Sequence, residues 1–279
     1  MAHLGYIAAS IGVVVVATAA GWGVSNLLIS SMPAYVVLSE GVPNGTTYTD
    51  DNIGKIYGDY LIAPYGSNES KNSAGDSNSN NNKEWWEWSY ALFQEDLKSE
   101  SLQEWSDEFS EIESAFSPTP ASDESSKKAL NQVCEVVYKK NKNDLKPSKD
   151  KPNNAKLINN FWRYCSFFHT KPRTIEENQD KYDGVNKYGN LKKSSLISTD
   201  LEKWEWNASF WEARNKEFLG NNGEKSNTKA TKGSKFELKG DEEEKHIKDI
   251  CSNAYNSEKD NNNDYPEADV TRFCTLEGK

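Results

Sequence analysis

The residue types able to do chemistry are few in this chain, and they are scattered. Its three histidines, His3, His169 and His246, lie far apart, and none falls in a His-Glu-x-x-His pattern that would set two imidazoles and a general base on one helix face. No serine occupies a Gly-x-Ser-x-Gly turn, and no Gly-x-x-x-x-Gly-Lys-[Ser/Thr] or Gly-x-Gly-x-x-Gly loop is present to cradle phosphates. Two carboxylates are flanked by indoles: Glu87 in Trp86-Glu-Trp88 and Glu205 in Trp204-Glu-Trp206. That pairing suggests a sugar on an aromatic platform, but alternation along a helix places each Glu on the solvent side. Glu242-Glu243-Glu244 reads as a solvated helix face, and His246, within a highly charged turn, as a solvated side chain. The residues therefore predict no catalytic group, no cofactor site and no metal site.

Bulk properties narrow the class further. The 279-residue chain carries a net charge of -10, which repels a phosphate backbone and argues against nucleic-acid binding. Mean hydropathy is -0.85, and much of the apolar content lies in the first 38 residues. Any core beyond them must lean on the nine Trp, thirteen Tyr and ten Phe. From Leu4 to Ser31 there is no charged residue, a run long enough to cross a bilayer, for which about 20 apolar residues suffice. The rival is a cleaved signal peptide with Ala17-Thr-Ala19 as its cleavage site. No Lys or Arg precedes the run, and apolar character continues through Leu28 and Ile29, which favours a retained anchor over residues 1–32. Ala8, Gly12 and Ala20 put small residues on roughly one face of it.

Past the anchor, residues 33–83 read as a juxtamembrane segment of short strands or turns followed by a polar, flexible linker. A first helical stripe runs through Trp85, Trp88 and Leu92 and continues at helical spacing through Leu102, Trp105, Phe109, Ile112 and Phe116 until Pro118 and Pro120 break it. Leu130, Val133, Cys134 and Val137 form a second stripe, and residues 155–168 a short apolar-rich helix. A polar connector spans 170–199. Asp200 then caps a stripe of Leu201, Trp204, Ala208, Trp211 and Phe218, and "GDEEEKHIKDICSNAY" reads as a helix with acids in its first turn.

The halves share landmarks in order. Trp86-Glu-Trp88 matches Trp204-Glu-Trp206. "LNQVCEVVYK" matches "IKDICSNAYN", each with an aliphatic residue before the Cys and a Tyr four after it. "WRYCS" matches "TRFCT". Three landmarks in sequence point to tandem duplication, with a unit at 84–169 and another at 200–279. The repeat makes Trp88 and Trp206 equivalent and assigns Trp88, Trp204, Trp206 and Trp211 to core packing. It favours disulfides Cys134–Cys165 and Cys251–Cys274 among the three connectivities that four cysteines allow. Four reduced, buried cysteines in a cytosolic chain are the alternative. A zinc site is disfavoured, because no Cys-x-x-Cys is present and only His169 lies close to a cysteine. The fold class expected is mainly α: an N-terminal transmembrane helix followed by two tandem helical repeat units with long polar loops. Asn44, Asn68 and Asn207 each open an N-glycosylation sequon.

The small-residue anchor, the Trp-bearing helices, a Cys in the second helix and the closing motif, "RYCS" at 163–166 and "RFCT" at 272–275, carry a resemblance. The chain resembles the large paralogous families of uncharacterised proteins of haemotropic mycoplasmas, wall-less bacteria that attach to red cells. Two units in one chain depart from the simpler single-unit pattern. The resemblance implies a membrane-associated, surface-exposed protein of unknown biochemical activity. The expectation is a single-pass cell-membrane protein with an extracellular C-terminal domain that acts in host interaction or antigenic display without catalysis. A host surface protein is its candidate partner, and nucleic acid is not. The rival class is an extracytoplasmic haem or small-molecule module whose Trp residues converge on a pocket.

Overall fold

The computed structural model describes residues 32–41, 48–66, 81–98, 104–121, 128–200, 206–220, 229–238, 245–260 and 262–278. The expected anchor over 4–31, its small-residue face, Trp204, Glu205, Asn44, Asn68 and the 242–244 acidic run lie outside the described residues. Among the described residues no helix is long and apolar enough to cross a membrane. The chain is mainly helical, and β-pairing among the described residues is confined to isolated bridges.

Two compact units meet in sequence between Lys171 and Pro172. In the first, α1 (Ile53–Ile56), α2 (Lys83–Lys98), α3 (Leu130–Lys139) and α4 (Pro152–Tyr164) surround an extended stretch at 61–63. Leu61 and Ile62 have no exposed surface, so a segment that read as juxtamembrane supplies core. In the second, α5 (Ile175–Asn178), α6 (Tyr188–Leu191), α7 (Ala208–Leu219), α8 (Ile247–Tyr255) and α9 (Glu267–Cys274) surround Leu196 and Ile197, likewise fully buried. The stretch that read as a polar connector is thus built into the second unit, because its few aliphatic residues are the ones the helices close upon.

Helix α2 buries Trp85, Ser89, Leu92 and Asp96 on one stripe, with Trp86 and Phe93 beside it. It ends at Lys98, not near residue 116. Trp105, Phe109 and Ile112 hold helical spacing without forming a helix, apart from the single turn Asp107–Phe109. The backbone there is fixed from outside: the Asn160 side chain accepts from Ser106 N–H (2.9 Å) and donates to the Glu104 carbonyl (3.2 Å). A side-chain amide that satisfies both a donor and an acceptor removes the need for helical pairing. Helix α3 is buried on nearly every face, which an amphipathic reading of its stripe understates. Pro152 starts α4, where its missing N–H costs nothing. In the second unit the first described residues of the long helix begin at Ala208, after Asn207. Helix α8 begins at Ile247, with the His246 imidazole accepting from Lys248 N–H (3.3 Å), so this histidine is an N-cap and not a freely solvated group.

The same hydrogen bonds hold the extended stretch in each unit. Ile62 N–H donates to the Cys165 carbonyl (3.0 Å) and Ile197 N–H to the Cys274 carbonyl (2.9 Å). The Tyr138 hydroxyl meets the carbonyls of Ile62 and Cys165, both at 2.9 Å, and the Tyr255 hydroxyl those of Ile197 (2.8 Å) and Cys274 (3.3 Å). Burial raises both phenols well above their ordinary pKa, so each remains a donor. The Asn82 amide accepts from Val36 N–H (2.8 Å) and donates to the carbonyls of Val36 (2.9 Å) and Ala63 (2.8 Å). Asn207 accepts from Arg173 N–H (2.7 Å) and donates to the carbonyls of Arg173 and Ser198, both at 3.0 Å. One turn on, the Trp86 indole donates to Ala63 (3.3 Å) and the Trp211 indole to Ser198 (2.9 Å). Gly54 of α1 and Gly189 of α6 face tyrosine rings so closely that a Cβ would lie 2.7 Å from Tyr48 and 2.5 Å from Tyr182.

These contacts correct the expected register. Trp86 takes the place of Trp211, not of Trp204, and the pattern they share is Asn-x-x-x-Trp. Trp88 does not correspond to Trp206: the former is buried, while the latter precedes α7 and is 38% exposed. The Asn82 and Asn207 clamps generate a prediction. Replacing either by Ala strips three hydrogen bonds from partly or fully buried backbone and lowers unfolding free energy by roughly 3 kcal/mol, read from urea midpoints. Asp at either position, which cannot donate, destabilises as well. Ala in place of the exposed Asn256 stays within about 0.5 kcal/mol.

Candidate functional site

The cysteines pair as the repeat favoured. Cys134 of α3 is bonded to Cys165 after α4, and Cys251 of α8 to Cys274 at the end of α9, each with Cα atoms 5.7 Å apart. Each bond ties the second long helix of its unit to the closing segment. Closing loops of 31 and 23 residues contributes roughly 3–4 kcal/mol apiece in the chain-entropy model. No cysteine is free.

Of the four tryptophans assigned to the core, Trp88 and Trp211 are buried. Trp206 is corrected to a surface residue: the Arg173 guanidinium lies over its ring, 3.7 Å from the centroid. A Trp placed before the helix start has no neighbouring turn to close over it. Glu87 lies on the outer face of α2, 3.6 Å from Lys83, and so does not face a second carboxylate across a cleft. Asn207 of the third sequon is 2% exposed with its amide nitrogen spent on two carbonyls, which leaves no room for a glycan on the folded chain.

Sequence reasoning missed the buried charges. Arg163 of α4 forks onto Asp96 of α2, with Nε–Oδ2 at 2.5 Å and Nη2–Oδ1 at 2.9 Å, and the Tyr164 hydroxyl donates to the same carboxylate (2.6 Å). Burial works against the guanidinium's charge, but its bonds and its attraction to Asp96 outweigh that and hold its pKa above the ordinary value. In the second unit Arg214 of α7 is 1% exposed and donates to the carbonyls of Thr275 (2.8 Å) and Gly278 (3.0 Å) and to Glu217 (2.8 Å). Asp269 of α9, with no exposed surface, accepts from Thr231 and Ser234. These groups are internal ties whose partners belong to the same unit. Of these arginines only Arg163 belongs to the closing motif; its counterpart Arg272 is partly exposed beside Asp269, at 3.4 Å, and no motif marks Arg214.

The remaining titratable group of note is His169. It adopts a left-handed conformation (φ 56) and is held between indoles, Trp88 edge-on at 4.7 Å and Trp85 stacked at 6.2 Å. Its Nδ1 lies 3.1 Å from the Arg163 carbonyl. Burial, opposed by that hydrogen bond and reinforced by the Arg163 charge, pulls its pKa from 6.5 down to about 4. Among the described residues no group of three or more His, Cys, Asp or Glu is disposed to hold a metal ion. Comparison with family models, with curated proteins and with solved structures yields no match.

The imidazole gives a pH prediction. The unfolded ring takes a proton below about 6.5, while the folded ring resists until about 4. Stability is therefore full above pH 6.5 and falls as pH drops through that window, by roughly 3 kcal/mol in all. Asn tolerates the left-handed backbone, so His169→Asn isolates the ring. Denaturation between pH 7 and 4 is expected to show a shallower loss in the variant than in the parent. Equal slopes would contradict the burial of a neutral imidazole.

Proposed function

We propose that the chain is an exported, membrane-anchored protein whose two disulfide-stapled helical units arose by duplication. It acts by contact, in host interaction or antigenic display, without catalysis. The observation that carries this reading is the use of all four cysteines in two local disulfides, bonds that persist in oxidising compartments and are rare in reducing ones. The matching clamps, Asn82 with Trp86 and Tyr138 in one unit and Asn207 with Trp211 and Tyr255 in the other, support duplication: they coincide in atoms bonded as well as in residue type. The charge-free run over 4–31 supports anchorage. Use of aromatics as packing, with Trp85, Trp86 and Trp211 buried and two of those three indoles donating to backbone, favours contact over a haem pocket.

Protease treatment of intact cells that make the protein tests the proposal. The units are expected to be cleaved from the surface without lysis, and the non-reduced chain to take up no maleimide. Protection from protease until lysis, together with four reactive thiols, would contradict it.

A further inference from the structure

The chain is fixed to the first unit as soon as it leaves the charge-free run. Leu27, Leu28 and Ile29 keep that run apolar to within three residues of Met32, a reach of at most about 10 Å. The Met32 thioether already lies against the His169 ring, 3.4 Å from Nε2. Tyr35 stacks on Phe167 at 5.4 Å and meets Trp85 edge-on at 6.4 Å. The next residue, Val36, is held at both its N–H and its carbonyl by Asn82. Run and unit are therefore joined without slack.

The matching clamps show what is particular to this corner. Val36 pairs with Arg173, Trp86 with Trp211 and Cys165 with Cys274. Counted from those landmarks, Tyr35, Trp88, Phe167 and His169 have Pro172, Ala213, Leu276 and Gly278 as their counterparts in the second unit. The backbone pairing is shared, yet four rings gather at the corner that follows the run and none of their four counterparts carries one.

We propose that this corner of the first unit rests in the headgroup layer of the membrane that holds the anchor, with the half-buried rings of Tyr35 and Phe167 as its contacts with lipid. The proposal rests on the anchored reading of residues 1–32 and adds a surface to it. The headgroup layer is roughly 5–7 Å deep on each side of the hydrocarbon, enough to take the tips of two rings. Tyrosine, with an apolar body and a polar tip, is a residue type that gathers there. Trp85 and Trp88 lie buried behind the pair, with His169 against them. Burial keeps the imidazole neutral, and the Arg163 charge is matched by the Asp96 carboxylate, so neither brings an unpaired charge to the lipid. Glu84 and Glu87 are exposed on the neighbouring start of α2 and repel an anionic surface, which makes a zwitterionic lipid the fitting partner.

Photo-crosslinking of the full, oxidised chain reconstituted in phosphatidylcholine vesicles tests the contact. p-Benzoylphenylalanine replaces Phe167 in one variant and Tyr35 in another, and lack of maleimide uptake shows that each keeps its disulfides. The control carries the same probe at Lys149, exposed in the turn before α4; the 13 residues of that helix set the turn roughly 20 Å from the corner's end of it. Flotation with the vesicles after alkaline carbonate reads anchorage by itself. The expected result is a floating chain with lipid adducts at positions 35 and 167 and none at 149. A floating chain without adducts at 35 and 167, or with equal adducts at all three positions, would overturn the docking and leave the anchor standing. A chain stripped from the vesicles by carbonate would overturn both.

Discussion

Extended backbone inside a cage of helices is the constraint on which both units turn. A helix pairs its own amides and carbonyls, and a strand in a sheet borrows its neighbour's. A short stretch such as 61–63 or 196–198 has only isolated bridges to neighbouring backbone, yet Leu61, Ile62, Leu196 and Ile197 are buried. Each polar group of that backbone must find a specific partner or destabilise the core. The partners are a tyrosine hydroxyl, an asparagine amide and an indole N–H, together with the carbonyl of the second disulfide cysteine and short backbone bridges to 36–38 in one unit and 173–175 in the other. Side chains with one apolar body and one donor suit this task, which accounts for the chain's dependence on Tyr and Trp in place of aliphatic residues.

The disulfides follow from the same arrangement. The carbonyls of Cys165 and Cys274 accept from the extended stretch while their sulfurs fix α3 and α8. Backbone pairing and covalent bond therefore converge on one residue in each unit. Polar loops contribute little apolar burial, so a cross-link worth a few kcal/mol is a large share of the stability of a small unit. The buried charges differ between units: Arg163 with Asp96 in one, Arg214 and Asp269 in the other. The clamp is common to both units, and the electrostatics around it differ.

Much of this was legible in the sequence, and where it was not the reason is physical. The two cysteine-bearing helices, the tyrosine one turn after each first cysteine, and the closing Arg-aromatic-Cys motif stand where spacing put them. The Trp-Glu-Trp tripeptide misled, because it lies inside α2 in one unit and before α7 in the other. Asn82-x-x-x-Trp86 and Asn207-x-x-x-Trp211 are the pairs that make matching bonds, and they stayed hidden because a buried Asn resembles any loop Asn until its bonds are seen. Leu-Ile at 61–62 fell within a segment read as juxtamembrane, and at 196–197 within one read as a polar connector. Periodicity failed over 105–116, where Asn160 satisfied the backbone from another element. The His169–Met32 corner joins residues 137 apart, and no local pattern announces it.

Hydrogen exchange on the oxidised full chain reaches the central claim most directly. The amides of Ile62 and Ala63 in one unit donate to the carbonyls of Cys165 and Val36, and those of Ile197 and Ser198 in the other to the carbonyls of Cys274 and Arg173. If the clamps hold, these four amides exchange only when their unit unfolds as a whole, as slowly as the amides in the middle of α3 and α8. Exchange at the rate of exposed loop amides, with α3 and α8 still protected, would show that the extended stretches are not the structural centre of the units.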